Sequence, residues 1–151
     1  MKIRFGTRED IEVILTLSSE LHAESRFKER SIDQKKTRGV IESMLANPAQ
    51  ACILLAQSSD GEIVGLLAGV VMEYFFTQGV MAQDRCFYVQ PASRGSSAAV
   101  KLLMAFRKWA ELRKADELCV NMSVAIDVDR FNKLMTHMGF NYCGSNFSFK
   151  L

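Results

Sequence analysis

Val89-Gln-Pro-Ala-Ser-Arg-Gly-Ser-Ser-Ala-Ala99 is the stretch on which the fold turns. A strand pattern, Gln83 to Gln90, runs into it and is closed by Pro91. A helix pattern, Ser96 to Lys114, runs out of it. Ala99, Leu102, Leu103, Phe106, Trp109 and Ala110 form its apolar stripe, while Lys101, Arg107, Lys108, Glu111 and Lys114 cover the rest. Phe106 and Trp109 are therefore core residues. Between strand and helix, Gly95, Ser96, Ser97, Ala98 and Ala99 are all small, so a ligand can approach the backbone closely. They lie where a helix begins, and there several N–H groups have no partner within the helix. Those groups and the positive end of the macrodipole make an anion site. Arg94 adds a positive charge, and the Ser96 and Ser97 hydroxyls add donors. A pyrophosphate is the natural guest. A plain helix start with a serine cap fits the same spacing. The segment is neither a Walker loop nor a dinucleotide fingerprint, because Gly-Lys-Ser/Thr and G-x-G-x-x-G are both absent.

Outward from this unit the elements alternate in type. Lys2 to Phe5 reads as a strand, and Thr7-Arg-Glu-Asp10 as a capping box for a helix carrying Ile11, Ile14, Leu15 and Leu21. After a polar stretch, a second helix runs from about Asp33 to Ala46 and stops at Asn47-Pro48. Ala51 to Ala56, the turn Ser58-Ser-Asp-Gly61 and the run from Glu62 to about Phe76 form a hairpin, with Gly65 or Gly69 as bulge positions. Glu117 to Val124 is a strand. Asp129 to Met138 is a helix, with Gly139 at its left-handed C-terminal position. Asn141 to Lys150 supplies one or two final strands. The order β-α-α-β-β-β-α-β-α-β(-β) gives an α/β (α+β) fold. It has a mixed central sheet of about six to seven strands, flanked by about four helices, in one domain over residues 1–151.

Bulk properties bound the function. The chain has 151 residues, 48% of them hydrophobic and 24% charged, enough for a core without a staple. A net charge of +2, with the signs interspersed, gives no argument for nucleic acid or an anionic membrane. No run is apolar enough to span a bilayer, and Met1 to Phe5 lacks signal-peptide character, so a cytoplasmic setting is expected. Cys52, Cys86, Cys119 and Cys143 form no C-x-x-C pair, and His22 and His137 lie far apart, so no metal is expected. Cys52, Cys86 and Cys119, each within an apolar or strand-like run, read as reduced core residues.

The central segment resembles motif A of the GNAT acetyltransferases, Gln/Arg-x-x-Gly-x-Gly/Ala. Arg94 matches its first position and Ala99 its last, while Ser97 replaces the central glycine. Asp84 to Ala99, with Phe106-Arg-Lys-Trp-Ala110, is similar to a phage-related GNAT subgroup that tolerates this serine. His22-Ala-Glu-Ser25 and His137-Met-Gly-Phe140 also resemble that subgroup. The resemblance implies acetyl-CoA as co-substrate and a primary amine as acceptor, on a small molecule or a peptide. It also implies two parallel strands that splay apart, and homodimers are common in the family. The acyl-pantetheine arm would pair with the backbone of Phe87, Tyr88 and Val89, and the pyrophosphate would meet Arg94, Gly95, Ser96, Ser97, Ala98 and Ala99.

The implied chemistry is direct attack of the amine on the thioester in a ternary complex. It needs positioning, a base and an oxyanion donor. The resemblance offers the Val89 N–H as that donor and Asp84 as general base. A structural carboxylate paired with Arg85 or Arg94 is the other role open to Asp84. Many relatives carry a tyrosine acid in Leu-Tyr-x-x-x-Gly-Phe. Here that frame reads Leu134-Met-Thr-His-Met-Gly-Phe140, and Met135 cannot donate a proton. The general acid is therefore unidentified, and a non-catalytic acyl-CoA-binding module stands as the alternative. His22, Glu24, Tyr74 and Phe75 could face the acceptor, with a structural role for His22 as the competing reading. His137 fits a helix C-terminus.

Overall fold

The computed structural model describes residues 1–122 and 126–149. Strands β1 (Lys2–Phe5), β2 (Ala51–Gln57), β3 (Ile63–Glu73), β4 (Val80–Val89) and β5 (Glu117–Cys119) lie in sequence order in one sheet. The first three pairings are antiparallel, and β4 to β5 is parallel. Helices α1 (Ile11–Glu24) and α2 (Gln34–Ala46) precede β2. Helix α3 (Ala98–Leu112) joins β4 to β5, and α4 (Val128–His137) follows β5.

Both faces of the sheet are covered, which is why its central strands read as continuous apolar runs. Strand alternation divides the core in two. Cys52, Leu54 and Ala56 of β2 join Leu102, Leu103, Phe106 and Trp109 of α3 and Met135 of α4. Ile53 and Leu55 join Ile14, Leu15 and Leu17 of α1 and Ile41 of α2 on the other face. The N-terminal capping box is present and extended. Asp10 accepts from the Thr7 N–H at 2.8 Å and its hydroxyl at 3.0 Å, and from both terminal nitrogens of Arg4 at 2.7 and 2.8 Å. The Arg4 hydrogen bonds outweigh burial and, with the Thr7 donors, hold the Asp10 carboxyl down at about 2. Asp33 caps α2 by accepting from the Lys36 N–H at 2.9 Å.

Several expected boundaries move. The sheet has five strands among the described residues, fewer than the six to seven expected. No strand forms over residues 141–149, because β5 stops at Cys119 and offers that stretch no described ladder. Strand β5 is shorter than the run Glu117 to Val124, and residues 123–124 and Lys150 of the expected strands lie outside the described residues. Strand β3 ends at Glu73 instead of Phe76, since Phe75 and Phe76 are almost wholly exposed. Helix α3 begins at Ala98 rather than Ser96.

Register shifts occur beside both expected glycines: against β2, Ala56 pairs with Gly65 and Gln57 with Ile63, leaving Val64 of β3 unmatched, while at Gly69 the extra residue lies on the partner strand β4. Ala68 pairs with Cys86 and Gly69 with Asp84, leaving Arg85 unmatched. A Cβ on Gly69 would stand 2.2 Å from Cε2 and 2.5 Å from Cζ of Phe106, whose side chain is fully buried. Gly69 therefore admits the helix aromatic into the sheet face. Gly69→Ala should cost about 1–3 kcal/mol by overpacking. In a denaturant double-mutant cycle with Phe106→Leu, the losses should be less than additive.

Candidate functional site

The bulge at Arg85 coincides with the point where β4 and β5 part. Parallel pairing runs from Met81↔Glu117 to Gln83↔Cys119 and stops. Asp84 follows directly. Its Oδ1 accepts from the Asn121 backbone N–H at 2.7 Å and from Asn121 Nδ2 at 3.2 Å. A carboxylate thus takes the donor that a continuing ladder would have used. Burial raises the Asp84 carboxyl above its ordinary value, against the opposing Asn121 hydrogen bonds and the Arg85 charge. Neither arginine weighed as its partner is hydrogen-bonded to it; Asn121 is.

Beyond the bulge β4 keeps its antiparallel ladder with β3. The Gln90 N–H donates to the Val64 carbonyl at 2.9 Å. By alternation, the Tyr88 backbone also faces β3, while Phe87 and Val89 turn their N–H groups away from it. Of the three residues expected to pair with a pantetheine arm, two thus present that edge and Tyr88 does not. The Val89 carbonyl on the same side is taken by Arg94 Nε at 2.9 Å. A small cleft beside the parting strands is lined by Leu21, Asp84, Arg85, Cys86, Asn121 and Phe131, among others. Burial and the Asp84 charge push the Cys86 thiol up to about 12, so it is a protonated thiol at neutral pH. A roomier groove of about 400 Å³ runs along the later turns of α3 and shares no residue with this cleft.

Past β4 the chain makes a short 3₁₀ turn (Pro91–Ser93) and then Gly95 at φ +90°, a conformation that favours glycine. Gly95, Ser96 and Ser97 are exposed, and Ala98 is buried against the core. Ser96 Oγ accepts from the Ala98 N–H at 3.2 Å. Among the described residues, the N–H groups of Gly95, Ser97, Ala99 and Val100 have no hydrogen-bond acceptor. Two of these donors, on exposed Gly95 and Ser97, and two on half-buried Ala99 and Val100 thus stand free at the positive end of a 15-residue helix.

Arg94 does not point freely from this turn. Its Nη2 meets Glu24 Oε2 at 2.7 Å, and its guanidinium carbon lies 5.6 Å from the Tyr88 ring centre. The Tyr88 hydroxyl donates to Glu24 Oε1 at 2.6 Å, and Gln90 Nε2 donates to both Glu20 oxygens at 3.0 and 3.1 Å. Partial burial works to raise the Glu24 carboxyl, but the Tyr88 and Arg94 hydrogen bonds together hold it below its ordinary value. Burial, followed by the Glu24 hydrogen bond, pushes the Tyr88 phenol up. The end of α1 is thus fastened to the β4–α3 turn by two carboxylates one helical turn apart. Sequence reasoning placed Glu24 near an acceptor and missed this link. The Glu20/Glu24 spacing was its one signal.

The remaining candidates scatter. His22 is half-buried, and its carbonyl accepts from the Ser25 N–H and hydroxyl. Tyr74 donates to Glu117 Oε2 at 3.1 Å, and Phe75 is exposed. His137 ends α4. Met135 is buried with α3, so the position read as the missing acid is a core position. No cluster of potential metal ligands occurs among the described residues, and no helix is long and apolar enough to cross a membrane.

With the geometry in place, the chain has the GNAT-like acetyltransferase fold. No family model and no curated protein matches it in sequence. Solved structures match it over nearly full length. AAC(6')-Iy, solved with the bisubstrate analogue CoA-S-monomethyl-acetylneamine, superposes at a TM-score of 0.81 and 15% identity, over 99% of this chain and 97% of that one. The aminoglycoside 6'-N-acetyltransferase AAC(6')-IG from Acinetobacter haemolyticus gives 0.77 and 21%, over 100% and 98%. A ribosomal-protein-alanine N-acetyltransferase from Brucella melitensis biovar Abortus 2308 gives 0.73 and 21%, over all of both chains. At these identities the likeness carries the fold.

Glu24→Gln should lower stability by about 1–2 kcal/mol in urea unfolding, because it removes the charge from two charge-assisted hydrogen bonds. Most of the loss should disappear when Glu24→Gln is made in a Tyr88→Phe, Arg94→Gln background.

Proposed function

We propose that this chain is an acetyl-CoA-dependent N-acetyltransferase that acts on a primary amine, with residues 1–151 working as one acyltransferase domain. The observation that carries it is the continuity of two free edges. Among the described residues, the Phe87 and Val89 N–H groups have no partner on the side where β4 and β5 part, and they lead into the free N–H groups of Gly95, Ser97, Ala99 and Val100. An extended thioester arm with a diphosphate at one end fits that pair of surfaces. The Phe87 and Val89 N–H groups would pair with the arm, and the latter is the proposed oxyanion donor. Gly95, Ser96, Ser97, Ala98 and Ala99 would hold the diphosphate. Arg94 braces the turn through Val89 and Glu24 and keeps Nη1 for the ligand.

Asp84 is the proposed base. Its raised proton affinity suits a group that must take a proton from an ammonium near neutral pH. It lies in the cleft beside the open edge. A small-molecule amine is the proposed acceptor class, supported by the aminoglycoside acetyltransferases among the fold's relatives. The phage-related subgroup, a homodimeric state and a cytoplasmic setting belong to the same proposal. A second reading, an acyl-CoA-binding module without catalysis, is favoured by two observations. Met135 is a core residue, and the Asp84 carboxylate already serves Asn121.

Calorimetric titration with acetyl-CoA tests both readings, and no binding up to millimolar ligand would sink them together. Thiol release on mixing acetyl-CoA with a panel of aminoglycosides, polyamines and peptides separates them. An enzyme turns over at least one amine; the module turns over none.

Asp84→Asn provides the pH test. The Asp84 pKa is raised in the fold, so its ionisation lowers stability as pH rises through the unfolded and then the folded value. Asp84→Asn should therefore leave Tm at pH 7 unchanged or higher. If Asp84 is the base, wild-type kcat/KM rises with pH along a limb above the ordinary carboxylate range. Asp84→Asn should flatten that limb and lower turnover by about 10²–10⁴-fold. An unaltered pH–rate profile removes Asp84 from the chemistry.

A further inference from the structure

The phosphate turn has a second arginine beside it, from a different helix. A guanidinium nitrogen of Arg130 lies 3.5 Å from where a Cβ on Gly95 would stand. Helix α4 puts it there. Asp127 caps that helix by accepting from the Arg130 N–H at 3.3 Å. Phe131, Leu134, Met135 and Met138 pack against the cluster built on α3. The Arg130 backbone is thus placed at the start of a helix packed on that cluster, and its exposed side chain extends to the turn that starts α3. Among the described residues the Arg130 guanidinium has no ion pair and no hydrogen-bond acceptor. Arg94 differs on both counts, since two of its nitrogens are committed to Val89 and Glu24.

We infer that Arg130 is a further coenzyme-A-binding residue, its free guanidinium closing over the diphosphate held by the Gly95 turn. The inference rests on the coenzyme-A function proposed above. It divides the labour of two arginines. Arg94 shapes the turn from beneath, through the Val89 carbonyl and α1. Arg130 supplies a planar, permanently charged donor set from above, suited to two neighbouring phosphate oxygens. Glycine at position 95 then has two reasons. Its φ of +90° disfavours a side chain, and the bare backbone leaves the turn open beside the Arg130 guanidinium.

The test is titration of wild type, Arg130→Gln and Arg130→Lys with three ligands: CoA, dephospho-CoA (which keeps the diphosphate and lacks the 3'-phosphate) and pantetheine. Calorimetry serves for the first two and NMR shift titration for the third. Circular dichroism melting checks the fold, which an exposed side chain leaves intact. Arg130→Gln should weaken CoA and dephospho-CoA alike by about tenfold or more, as expected for a lost charge-assisted contact. Pantetheine affinity should not change, and Arg130→Lys should recover part of the loss. Wild-type affinity in Arg130→Gln overturns the inference. So does a loss confined to CoA, which would assign Arg130 to the 3'-phosphate, or an equal loss for pantetheine. If wild type itself fails to bind CoA, the proposed function falls and this inference with it. Normal wild-type binding with an indifferent Arg130→Gln removes Arg130 alone.

Discussion

The hydrogen bond from the Asn121 backbone N–H to the Asp84 carboxylate governs the arrangement around the site. Two parallel strands that have begun to pair gain by continuing, because each buried backbone donor and acceptor needs a partner. Here the pairing ends after Gln83 and Cys119, and a side chain satisfies the next donor. The unmatched Arg85 on β4 shifts that strand's register against β3 at the same point. Gly69, at that shift, leaves room for Phe106 under the sheet. Among the described residues, the unpaired edge of Phe87 and Val89 accompanies these three placements.

The turn after β4 is built on the same economy of partners. The N–H groups of Gly95 and Ser97 precede α3, those of Ala99 and Val100 lie in its first turn where no earlier carbonyl reaches them, and Ser96 covers only that of Ala98. Its charged groups are arranged the opposite way. Glu20 and Glu24 meet Gln90 and Arg94, and Tyr88 completes the Glu24 coordination. A basic residue that looks like a ligand for a phosphate is therefore partly a structural fastener. Among the described residues, an unpaired cation beside the turn comes from α4.

What was legible in the sequence follows the sharpness of local signals. The strand–turn–helix unit was readable because its strand and helix periodicities are both clear and meet at Pro91 and Gly95. The apolar stripe through Phe106 and Trp109 indeed forms core. The hairpin and the first two helices were readable through their caps and turn residues. Strand number was not, because a strand is a relation between two segments. Tyr142, Phe147 and Phe149 give the C-terminal stretch a strand-like composition, yet no ladder reaches it among the described residues. The candidate site was half legible. Asp84 and the Gly95 turn stand out in one dimension. The Asn121 contact, the Glu24 fastening and the approach of Arg130 depend on long-range packing, and no local pattern announces them.

Tyr88 joins two parts of the molecule in a way that has a thermodynamic consequence. Its backbone belongs to the ladder behind the open edge, its hydroxyl holds the end of α1, and its ring lies under the Arg94 guanidinium. A shift of α1 therefore alters the support of the turn, and a ligand that tightens the turn restrains α1. Linkage makes such an effect reciprocal. Whatever factor a molecule resting on α1 imposes on affinity at the turn, a molecule at the turn returns to α1 unchanged. The two halves of a ternary complex would then sense each other through one phenol, without touching.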